Sequence, residues 1–338
     1  TLFRSFTEHG LPIDDPRSLI DVNIEAPQPG PRDLLVVVQA VAVNPVDTKV
    51  RQNVQPEVGT AKVLGWDVAG VVKSVGSEVT LFKTGDKVFY AGSIARAGGN
   101  SELHVVDERI VGHMPKSLGF AEAAALPLTA ITAWELLFER LQVHEGKTDE
   151  SQSLLIVGAA GGVGSILTQL AKQLTGLKVI GTASRPQTQS WVTALGADQV
   201  IDHSQPLSEA LKHAGIDQVT HVASLTQTDH HLDQLVEALA PQGKLALIDD
   251  PKTLDVTKLK RKSLSLHWEF MYTRSLFETA DMIEQHKLLN RVAHLIDAGT
   301  LKTTVGEHFG TINAANLRRA HALLESGKSK GKIVLEGF

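Results

Sequence analysis

The chain contains no cysteine in its 338 residues. Disulfides, thiolate nucleophiles and thiolate-bound zinc are therefore excluded together. A chain without cysteine suits a reducing compartment, and the sequence opens Thr1-Leu2-Phe3-Arg4-Ser5 without the apolar segment of a secretory signal. We therefore expect a cytoplasmic protein.

The sequence also lacks a long apolar run and a strong excess of either charge. No stretch reaches the roughly 18 consecutive apolar residues of a membrane span, and the net charge is −5 with both signs dispersed. A basic surface that would gather nucleic acid or anionic lipid is therefore not expected. Hydrophobic residues make up 42% of the chain and charged residues 21%, as in globular proteins. The length predicts two domains, and we expect a small-molecule partner.

The first third of the chain has the pattern of a strand-rich domain. Short β-branched runs separated by Gly, Asp, Lys and Ser turns predict strands over 34–43, 70–75, 87–90 and 104–106. Residues 121–141 have helical spacing, with a break predicted at Pro127.

From Ser153 onward, strands alternate with helices. The predicted strands are 154–157, 178–182, 199–201, 219–223 and 244–248, and the predicted helices are 162–174, 190–195 and 232–239. This alternation predicts βαβ units and a parallel sheet covered by helices on both faces. In the tail, the pattern predicts helices over 277–285 and 314–325 and a closing strand over 332–335.

One glycine-rich turn carries the first functional signal. The run Leu154-Leu155-Ile156-Val157-Gly158-Ala159-Ala160-Gly161-Gly162-Val163-Gly164 is a buried strand that stops on glycine and restarts as a helix. Glycines permit the tight turn and close approach of a pyrophosphate, and the helix N-terminus offers free N–H groups. The spacing is G-x-x-G-x-x-G rather than the commoner G-x-G-x-x-G, but the strand before it and the helix after it predict a dinucleotide site.

The end of the next strand indicates which dinucleotide binds. An NAD site carries Asp or Glu there, about 20 residues beyond the glycines, whereas this chain reads Thr182-Ala183-Ser184-Arg185. The planar fork of an arginine suits a phosphate. We therefore predict that Ser184 and Arg185 bind the 2′-phosphate of NADPH. The alternative is that both residues only begin the next helix at the surface.

These segments resemble the medium-chain dehydrogenase/reductase superfamily, in particular its quinone oxidoreductase branch and the related zinc-type alcohol dehydrogenase-like group. The resemblance spans nearly the whole chain. Its motifs are Val43-Asn44-Pro45-Val46-Asp47 with Arg51, Gly65-Trp66-Asp67-Val68-Ala69-Gly70-Val71-Val72, Gly85-Asp86-Lys87-Val88, the glycine turn, and Gly331-Lys332-Ile333-Val334-Leu335.

The resemblance implies an α/β protein with two domains. A GroES-like, β-rich catalytic domain over 1–125 would be completed by the C-terminal segment 275–338. A Rossmann NADP-binding domain with a doubly wound parallel sheet would occupy 126–274. A homodimer is also expected, as in most oligomers of this kind.

Zinc ligands of the zinc-dependent relatives are replaced here. Asn44 stands where those relatives carry a catalytic Cys, and Gly65-Trp66-Asp67 stands where they carry Gly-His-Glu. A Cys₄ structural zinc site would need thiolates, which the chain lacks. We therefore expect no metal site, and we interpret the fourteen histidines as surface or packing residues.

The resemblance also assigns candidate roles to single residues. In the turn, Gly158, Ala160, Gly161, Gly162, Val163 and Gly164 would bind the cofactor. Thr132 matches a threonine near the nicotinamide, His203 stands where quinone reductases often have a Tyr beside the adenosine phosphate, and Leu225 would wall the nicotinamide pocket. Each of these three could instead be an ordinary helix, surface or core residue.

Two further residues are the predicted catalytic pair. Asn44 and Asp47 would contact the substrate or the nicotinamide ribose, whereas Asp67 would organise the barrel, pairing with a nearby base such as Lys49 or Arg51. Loops 92–100 and 264–275 are expected to set the size of the substrate pocket.

Without zinc to polarise a carbonyl, the acceptor must already be electrophilic. We therefore predict an NADPH-dependent, zinc-independent reductase of quinones or α,β-unsaturated carbonyls, with the proton taken from solvent. Two alternatives stay open: a zinc-dependent alcohol dehydrogenase with atypical ligands, and a non-catalytic NADPH-binding protein.

Overall fold

A computed structural model describes residues 1–146 and 151–338, and it divides into two compact units. Unit 1 comprises Thr1–Ile131 and Tyr272–Phe338, and unit 2 comprises Thr132–Met271. The chain thus leaves the first unit, forms the second and returns. The predicted boundaries at 125 and 275 lie a few residues from these.

The first part of unit 1 consists mainly of short strands. They are β1 (Leu2–Phe6), β2 (Ile20–Asn23), β3 (Asp33–Val43), β4 (Lys62–Val63), β5 (Val68–Val75), β6 (Lys87–Tyr90), β7 (Leu103–Asp107) and β8 (Val111–His113). Three α-helices and one 3₁₀ turn, Glu108–Ile110, accompany them. The α-helices are α1 (Pro45–Asn53), α2 (Phe120–Ala124) and α3 (Pro127–Trp134), and the last three residues of α3 belong to unit 2. The helical segment is interrupted before Pro127, as the sequence predicted, and α3 begins at this proline. The first turn of a helix tolerates proline because its N–H groups have no intrahelical acceptor.

Unit 2 alternates strands with helices. The strands are β9 (Ser153–Val157), β10 (Lys178–Thr182), β11 (Gln199–Ile201), β12 (Val219–Ser224), β13 (Leu239–Leu247) and β14 (Ser265–Trp268), and the helices are α4 (Gly162–Leu174), α5 (Pro186–Ala194), α6 (Leu207–His213) and α7 (Thr228–Ala238). A π-helical stretch, Glu135–Arg140, follows α3, and a 3₁₀ stretch, Val256–Lys262, precedes β14.

The returning tail completes unit 1. It contains α8 (Thr273–Leu276), α9 (Ile283–Asp297), β15 (Val305–His308), α10 (Ala314–Glu325) and β16 (Lys332–Glu336). The predicted helix over 277–285 is wrong over 277–282. Glu278 adopts a left-handed conformation with φ 45°, which ends α8 and delays the next helix until Ile283. The predicted loop over 264–275 is also wrong in part, because it contains β14 and α8.

The sheet of unit 2 confirms the predicted α/β fold. Its order is β11-β10-β9-β12-β13-β14, and every neighbouring pair is parallel. The order reverses between β9 and β12, which is the topological switch point at which doubly wound sheets bind ligands. Four consecutive β9 residues, Leu154 to Val157, are buried. Because successive side chains point to opposite faces, both faces of this strand are covered.

In unit 1, the long strand β3 lies at the centre of a seven-stranded sheet of order β15-β16-β3-β5-β6-β8, and β7 also pairs with β3. β16 runs antiparallel to β3 and pairs Ile333 with Val43. The next pair in this register is Lys332 and Asn44. On the other side, the Ala42 amide donates to the Asp67 carbonyl at 3.1 Å. The sheet therefore gathers Asn44, Asp67 and Lys332 at one end of β3.

One helical stretch, Phe120–Arg140, has the length and the apolar composition of a membrane-spanning helix. However, 83% of its most apolar window is buried inside the protein. Such burial is typical of a core helix.

Candidate functional site

The turn between β9 and α4 requires glycine at two positions. Gly158 adopts a positive φ of 82°, which residues with a side chain rarely adopt. A Cβ on Gly164 would stand 2.5 Å from the Gly158 carbonyl oxygen and 2.6 Å from Ala159 Cα. By contrast, a Cβ on Gly161 would meet only the Gly158 carbonyl oxygen, at 3.5 Å. Space is therefore open beside Gly161, the residue that precedes α4.

The turn also presents a helix N-terminus. Gly161 is the N-cap of α4, and no side chain caps it. Gly162 and Val163 open the helix, half-buried, and their N–H groups lie in the first turn, where no intrahelical acceptor exists. Ala160 is half-buried in the turn before them. Uncapped N–H groups and the positive end of the helix dipole suit a bound anion.

Neighbouring strand ends extend this edge of the sheet. β10 lies beside β9, and the Gly158 amide donates to Thr182 Oγ1 at 3.0 Å. Ser184 and Arg185 follow β10 and are half-buried, and Arg185 precedes α5. Because parallel strands end at the same edge, the Ser184-Arg185 pair lies on the same side of the sheet as the glycine turn.

His203 lies at the end of the next strand, β11. Its ring is half-buried, and Nδ1 is buried without a hydrogen-bond partner in the described part of the chain. A buried ring nitrogen normally has a partner. On the other side of β9, Leu225 follows β12, and its amide donates to the Val157 carbonyl at 3.2 Å. The structure therefore brings five of the predicted cofactor positions, Gly158, Ser184, Arg185, His203 and Leu225, to one sheet edge.

Thr132 is placed differently. It is buried in α3 and is the first residue of unit 2, so it belongs to a helix and not to a strand end. Its assignment to the nicotinamide stays a prediction.

In unit 1, Asn44 and Asp47 form the junction between β3 and α1. The Asp47 carboxylate accepts from the Asn44 amide at 2.7 Å and from the Gly65 amide at 2.9 Å. Asp47 thereby stabilises the start of α1, where acidic residues are favourable. Asn44 is 1% exposed and Asp47 is 0% exposed, so both side chains are turned into the protein. Their contact with a substrate stays a prediction.

Lys332 completes this cluster. Its Nζ donates to the Val43 carbonyl at 3.0 Å, to Asn44 Oδ1 at 2.5 Å and to Asp67 Oδ2 at 2.8 Å. All three protons of the ammonium are thus used, and the side chain is 3% exposed. The sequence correctly predicted that Asp67 organises this domain but named the wrong base. Arg51 instead donates to the Leu11 carbonyl and pairs with Glu325.

Asp67 joins the strands to a helix. Its Oδ1 accepts from the Leu128 amide at 2.8 Å, in the first turn of α3, and its Oδ2 also accepts from Asn44 Nδ2 at 2.8 Å. Trp66, beside it, is 1% exposed and donates from Nε1 to the Ser93 carbonyl at 3.1 Å.

Burial dominates the electrostatics of the cluster. It raises the pKa of Asp47 to about 7, with the Asp67 charge adding to the shift and the Asn44 and Gly65 amides and Lys332 opposing it. Burial also raises the pKa of Asp67, and the Lys332 ammonium is the strongest opposing influence. Two fully buried carboxyl groups therefore lie in the field of one ammonium, which is hydrogen-bonded to only one of them, Asp67.

The loop over 92–100 is stabilised by a hydrogen bond from a buried histidine, which in turn contacts a buried tyrosine. His104 bonds from Nε2 to the Ala97 carbonyl at 2.9 Å, and Tyr90 Oη lies 3.0 Å from His104 Nδ1. Since Nε2 must donate to a carbonyl, a neutral imidazole accepts at Nδ1 from the tyrosine hydroxyl. Burial lowers the pKa of His104 to about 4, which agrees with this assignment.

A cavity of about 100 Å³ lies beside this loop, and its lining includes Ser93 and Arg96 of the loop and Ser275 and Met282 of the tail. A pocket for a drug-sized ligand has about 300 to 1,000 Å³. The cavity is therefore smaller than a pocket for a drug-sized ligand.

A buried acid in unit 2 was not predicted. Glu269 follows β14, is 2% exposed and accepts from Arg140 Nε at 2.8 Å. Burial, together with the nearby carboxyl group of Glu135, raises the pKa of Glu269 to about 9. Glu135 lies in the π-helical stretch, an irregularity that is frequent at functional sites. Glu135 lies within a helix and Glu269 follows a strand, and neither belongs to a motif. The sequence therefore did not identify them as candidate site residues.

Lys332 did leave a signal in the sequence. A lysine inside the closing apolar strand Lys332-Ile333-Val334-Leu335 must find a buried partner, since an unpaired charge there would be costly. Nothing local identifies that partner, because 265 positions separate Lys332 from Asp67. The described residues contain no group of three or more His, Asp or Glu side chains that could hold a metal ion.

The parallel sheet with its glycine turn and the strand-rich GroES-like unit define the fold of the two-domain dehydrogenases, and comparisons with known proteins specify the family. Residues 30–134 match the alcohol dehydrogenase GroES-like domain, and residues 195–335 match the zinc-binding dehydrogenase domain. A zinc-type alcohol dehydrogenase-like protein from Staphylococcus epidermidis is 37% identical over 325 residues, covering 96% of each chain.

Two solved structures are similar over the whole chain. One, from Rhizobium etli and assigned to the zinc-dependent alcohol dehydrogenases, is 52% identical with a TM-score of 0.96, covering 100% of this chain and 98% of that one. The other, Escherichia coli quinone oxidoreductase complexed with NADPH, is 27% identical with a TM-score of 0.84, covering 99% of this chain and 100% of that one. The chain belongs to the medium-chain dehydrogenase/reductase superfamily, in its quinone oxidoreductase branch. It is an oxidoreductase, as the sequence predicted.

Proposed function

We propose that the chain is an NADPH-dependent reductase that transfers hydride to a quinone or an α,β-unsaturated carbonyl without a metal ion. The observation that carries the proposal is the absence of a carboxylate after β10, where Ser184 and Arg185 follow the strand beside the glycine turn. An NAD site would place an acid there for the ribose 2′-hydroxyl. A guanidinium and a hydroxyl are suited to a 2′-phosphate instead.

The described residues fit this cofactor. The open space beside Gly161 and the uncapped start of α4 would receive the pyrophosphate. The buried, unpartnered Nδ1 of His203 is a polar atom that a bound adenosine phosphate could satisfy. Leu225, at the switch point, and Thr132 are the residues that we propose for the nicotinamide end.

When bound, NADPH supplies the hydride and is left as NADP⁺, while solvent supplies the proton that completes the reduction. The residues of the chain bind and orient the reactants. We propose that Asn44 and Asp47 contribute as positioning residues, since their polar atoms are used within the protein in this structure. We also propose a cytoplasmic homodimer.

The experiment is an NADPH-oxidation screen of the purified protein against quinones, enones and simple aldehydes, each with and without a chelator, and with NADH in parallel. We expect turnover with quinones or enones, a preference for NADPH, and no effect of the chelator. Loss of activity on chelation would support the alcohol dehydrogenase alternative. Tight NADPH binding without turnover of any acceptor would support the non-catalytic alternative.

A further inference from the structure

The buried polar cluster of unit 1 occupies the positions at which a catalytic zinc would be expected. The chain matches a zinc-binding dehydrogenase domain, and its Rhizobium etli relative is assigned to the zinc-dependent alcohol dehydrogenases. The resemblance places the ligand positions at Asn44 and in Gly65-Trp66-Asp67. Whether this chain could hold zinc there depends on which side-chain atoms have free lone pairs.

The donor atoms do not fit a divalent ion. Asp67 Oδ1 accepts from the Leu128 amide, and Oδ2 accepts from both Asn44 and Lys332. The remaining candidate oxygen, Asn44 Oδ1, accepts from Lys332. Both lone pairs of Asp67 Oδ2 are therefore used, and Asp67 Oδ1 and Asn44 Oδ1 keep one each, so these side chains offer at most two ligand atoms. Trp66 has an N–H that only donates, and it donates to the Ser93 carbonyl. A catalytic zinc needs about three convergent N, S or O ligands with free lone pairs.

Charge excludes the ion as well. The Lys332 ammonium lies 2.8 Å from Asp67 Oδ2, so a divalent cation bound to this carboxylate would stand beside a buried positive charge. Two positive charges held by the same carboxylate repel strongly here because the Lys332 and Asp67 side chains are only 3% and 0% exposed, so little water screens them.

We propose that Lys332 takes the place of the metal: its ammonium is a covalently attached cation that neutralises Asp67, orients the Asn44 amide and makes the cluster unable to accept zinc. Lys332 is thus a positioning residue, and it ties three elements together. Through Asn44 it fixes the β3–α1 junction, and through Asp67 it fixes the start of α3. This role does not depend on the cofactor or the acceptor.

The first test is metal binding by the full-length protein. After incubation with excess zinc chloride and desalting, the wild type should retain far less than one zinc ion per chain, and its unfolding temperature should not respond to zinc or to a chelator. Retention of one ion per chain that is lost in Asp67→Ala would overturn the proposal.

The second test replaces the attached cation with a free one. Lys332→Ala removes a propylammonium-sized part of the side chain, and its unfolding temperature should fall. Propylammonium chloride should raise it again more than an equal concentration of tetramethylammonium chloride, which carries the same charge but no N–H donor. Ligands that bind only the folded state stabilise it in this way. Lys328→Ala, at an exposed lysine nearby, is the matched control and should show no difference between the two salts.

An equal response of Lys332→Ala to both salts would contradict the proposal. If this variant does not fold, a double-mutant cycle tests the proposal instead. The cycle compares the stability of Asp67→Asn, Lys332→Met and the double variant with that of the wild type. We expect the double variant to lose less unfolding free energy than the two single variants lose together, because it leaves no unpaired charge. Strictly additive losses would show that Lys332 only fills space.

Discussion

Gly164 packs against Gly158 across the turn between β9 and α4, so closely that a Cβ on Gly164 would stand 2.5 Å from the Gly158 carbonyl oxygen. All three contacting atoms within 2.6 Å, the Gly158 carbonyl oxygen and the Cα and carbonyl oxygen of Ala159, belong to the backbone and cannot move aside as a side chain would. The close approach therefore brings the first turn of α4 against the end of the strand.

Gly164→Ala should accordingly lose both stability and NADPH binding. Overpacking of a well-packed position costs about 1–3 kcal/mol, and the loss should appear as a lower urea midpoint. Gly161→Ala is the matched variant, since its Cβ meets only one atom, at 3.5 Å. It should unfold like the wild type yet bind NADPH at least about tenfold more weakly, a difference of about 1.4 kcal/mol. Wild-type NADPH affinity in Gly161→Ala would show that the phosphate lies elsewhere.

Arg185→Ala should weaken the binding of NADPH but not that of NADH. If the guanidinium bonds to the 2′-phosphate, its loss should weaken NADPH binding about 10- to 100-fold, as expected for hydrogen bonds to a charged group. NADH, which lacks that phosphate, should bind unchanged. Titration calorimetry with both cofactors measures this, and Arg261→Ala, at an exposed arginine of the same unit, is the control. Equal losses for NADPH and NADH would mean that Arg185 only supports α5.

The parts of the fold that could be predicted are those with local causes. The strand before Gly158 and the helix after it follow from a short apolar run and the glycines, and α4 runs from Gly162 to Leu174 as predicted. The break at Pro127 has a similarly local cause. The helix predicted over 277–285 failed because the left-handed Glu278 is not visible in the helical spacing of that segment.

The polar cluster shows why the candidate site could be predicted only in part. Asn44, Asp47 and Asp67 were identified because they lie within motifs. Lys332 was missed as their partner because the register of β16 on β3 sets that contact, and no local pattern encodes the register. The contact between Glu269 and Arg140, 129 positions apart, was missed for the same reason.

Asp47 should give the protein an unusual dependence on pH. Its pKa is raised to about 7 in the folded chain, mainly by burial, against about 3.9 when unfolded. Between these values the folded state holds a proton that the unfolded state has released, so the Asp47 contribution to stability falls as pH rises from about 4 to 7.

Asp47→Asn, which cannot ionise, isolates this contribution. The stability of the wild type minus that of the variant should decrease by a few kcal/mol between about pH 4 and pH 7 and stay level above it. Urea unfolding of both proteins across this range measures the difference. A difference that grows with pH would show that the two backbone donors, Asn44 and Gly65, outweigh burial.

His321 should act in the opposite direction. It is fully buried in α10, and neither ring nitrogen has a hydrogen-bond partner in the described part of the chain. Burial, with the Arg51 charge, lowers its pKa to about 3. The folded state therefore keeps the ring neutral, while the unfolded state takes up a proton below about pH 6.5. The His321 contribution to stability is therefore present above about pH 6.5 and is lost as pH falls toward the folded-state pKa of about 3.

His321→Leu should remove this acid sensitivity. Because two unsatisfied buried nitrogens disappear, the variant should be no less stable than the wild type at pH 7, and a gain of about 1 kcal/mol is expected. Below pH 6 its advantage should grow, because the unfolded variant has no ring to protonate. His213→Leu, at an exposed position, is the control and should leave the pH dependence unchanged. If His321→Leu loses stability in parallel with the wild type as pH falls, the ring is not held neutral, and the acid sensitivity must come from other groups such as His104, whose pKa is lowered to about 4 by burial.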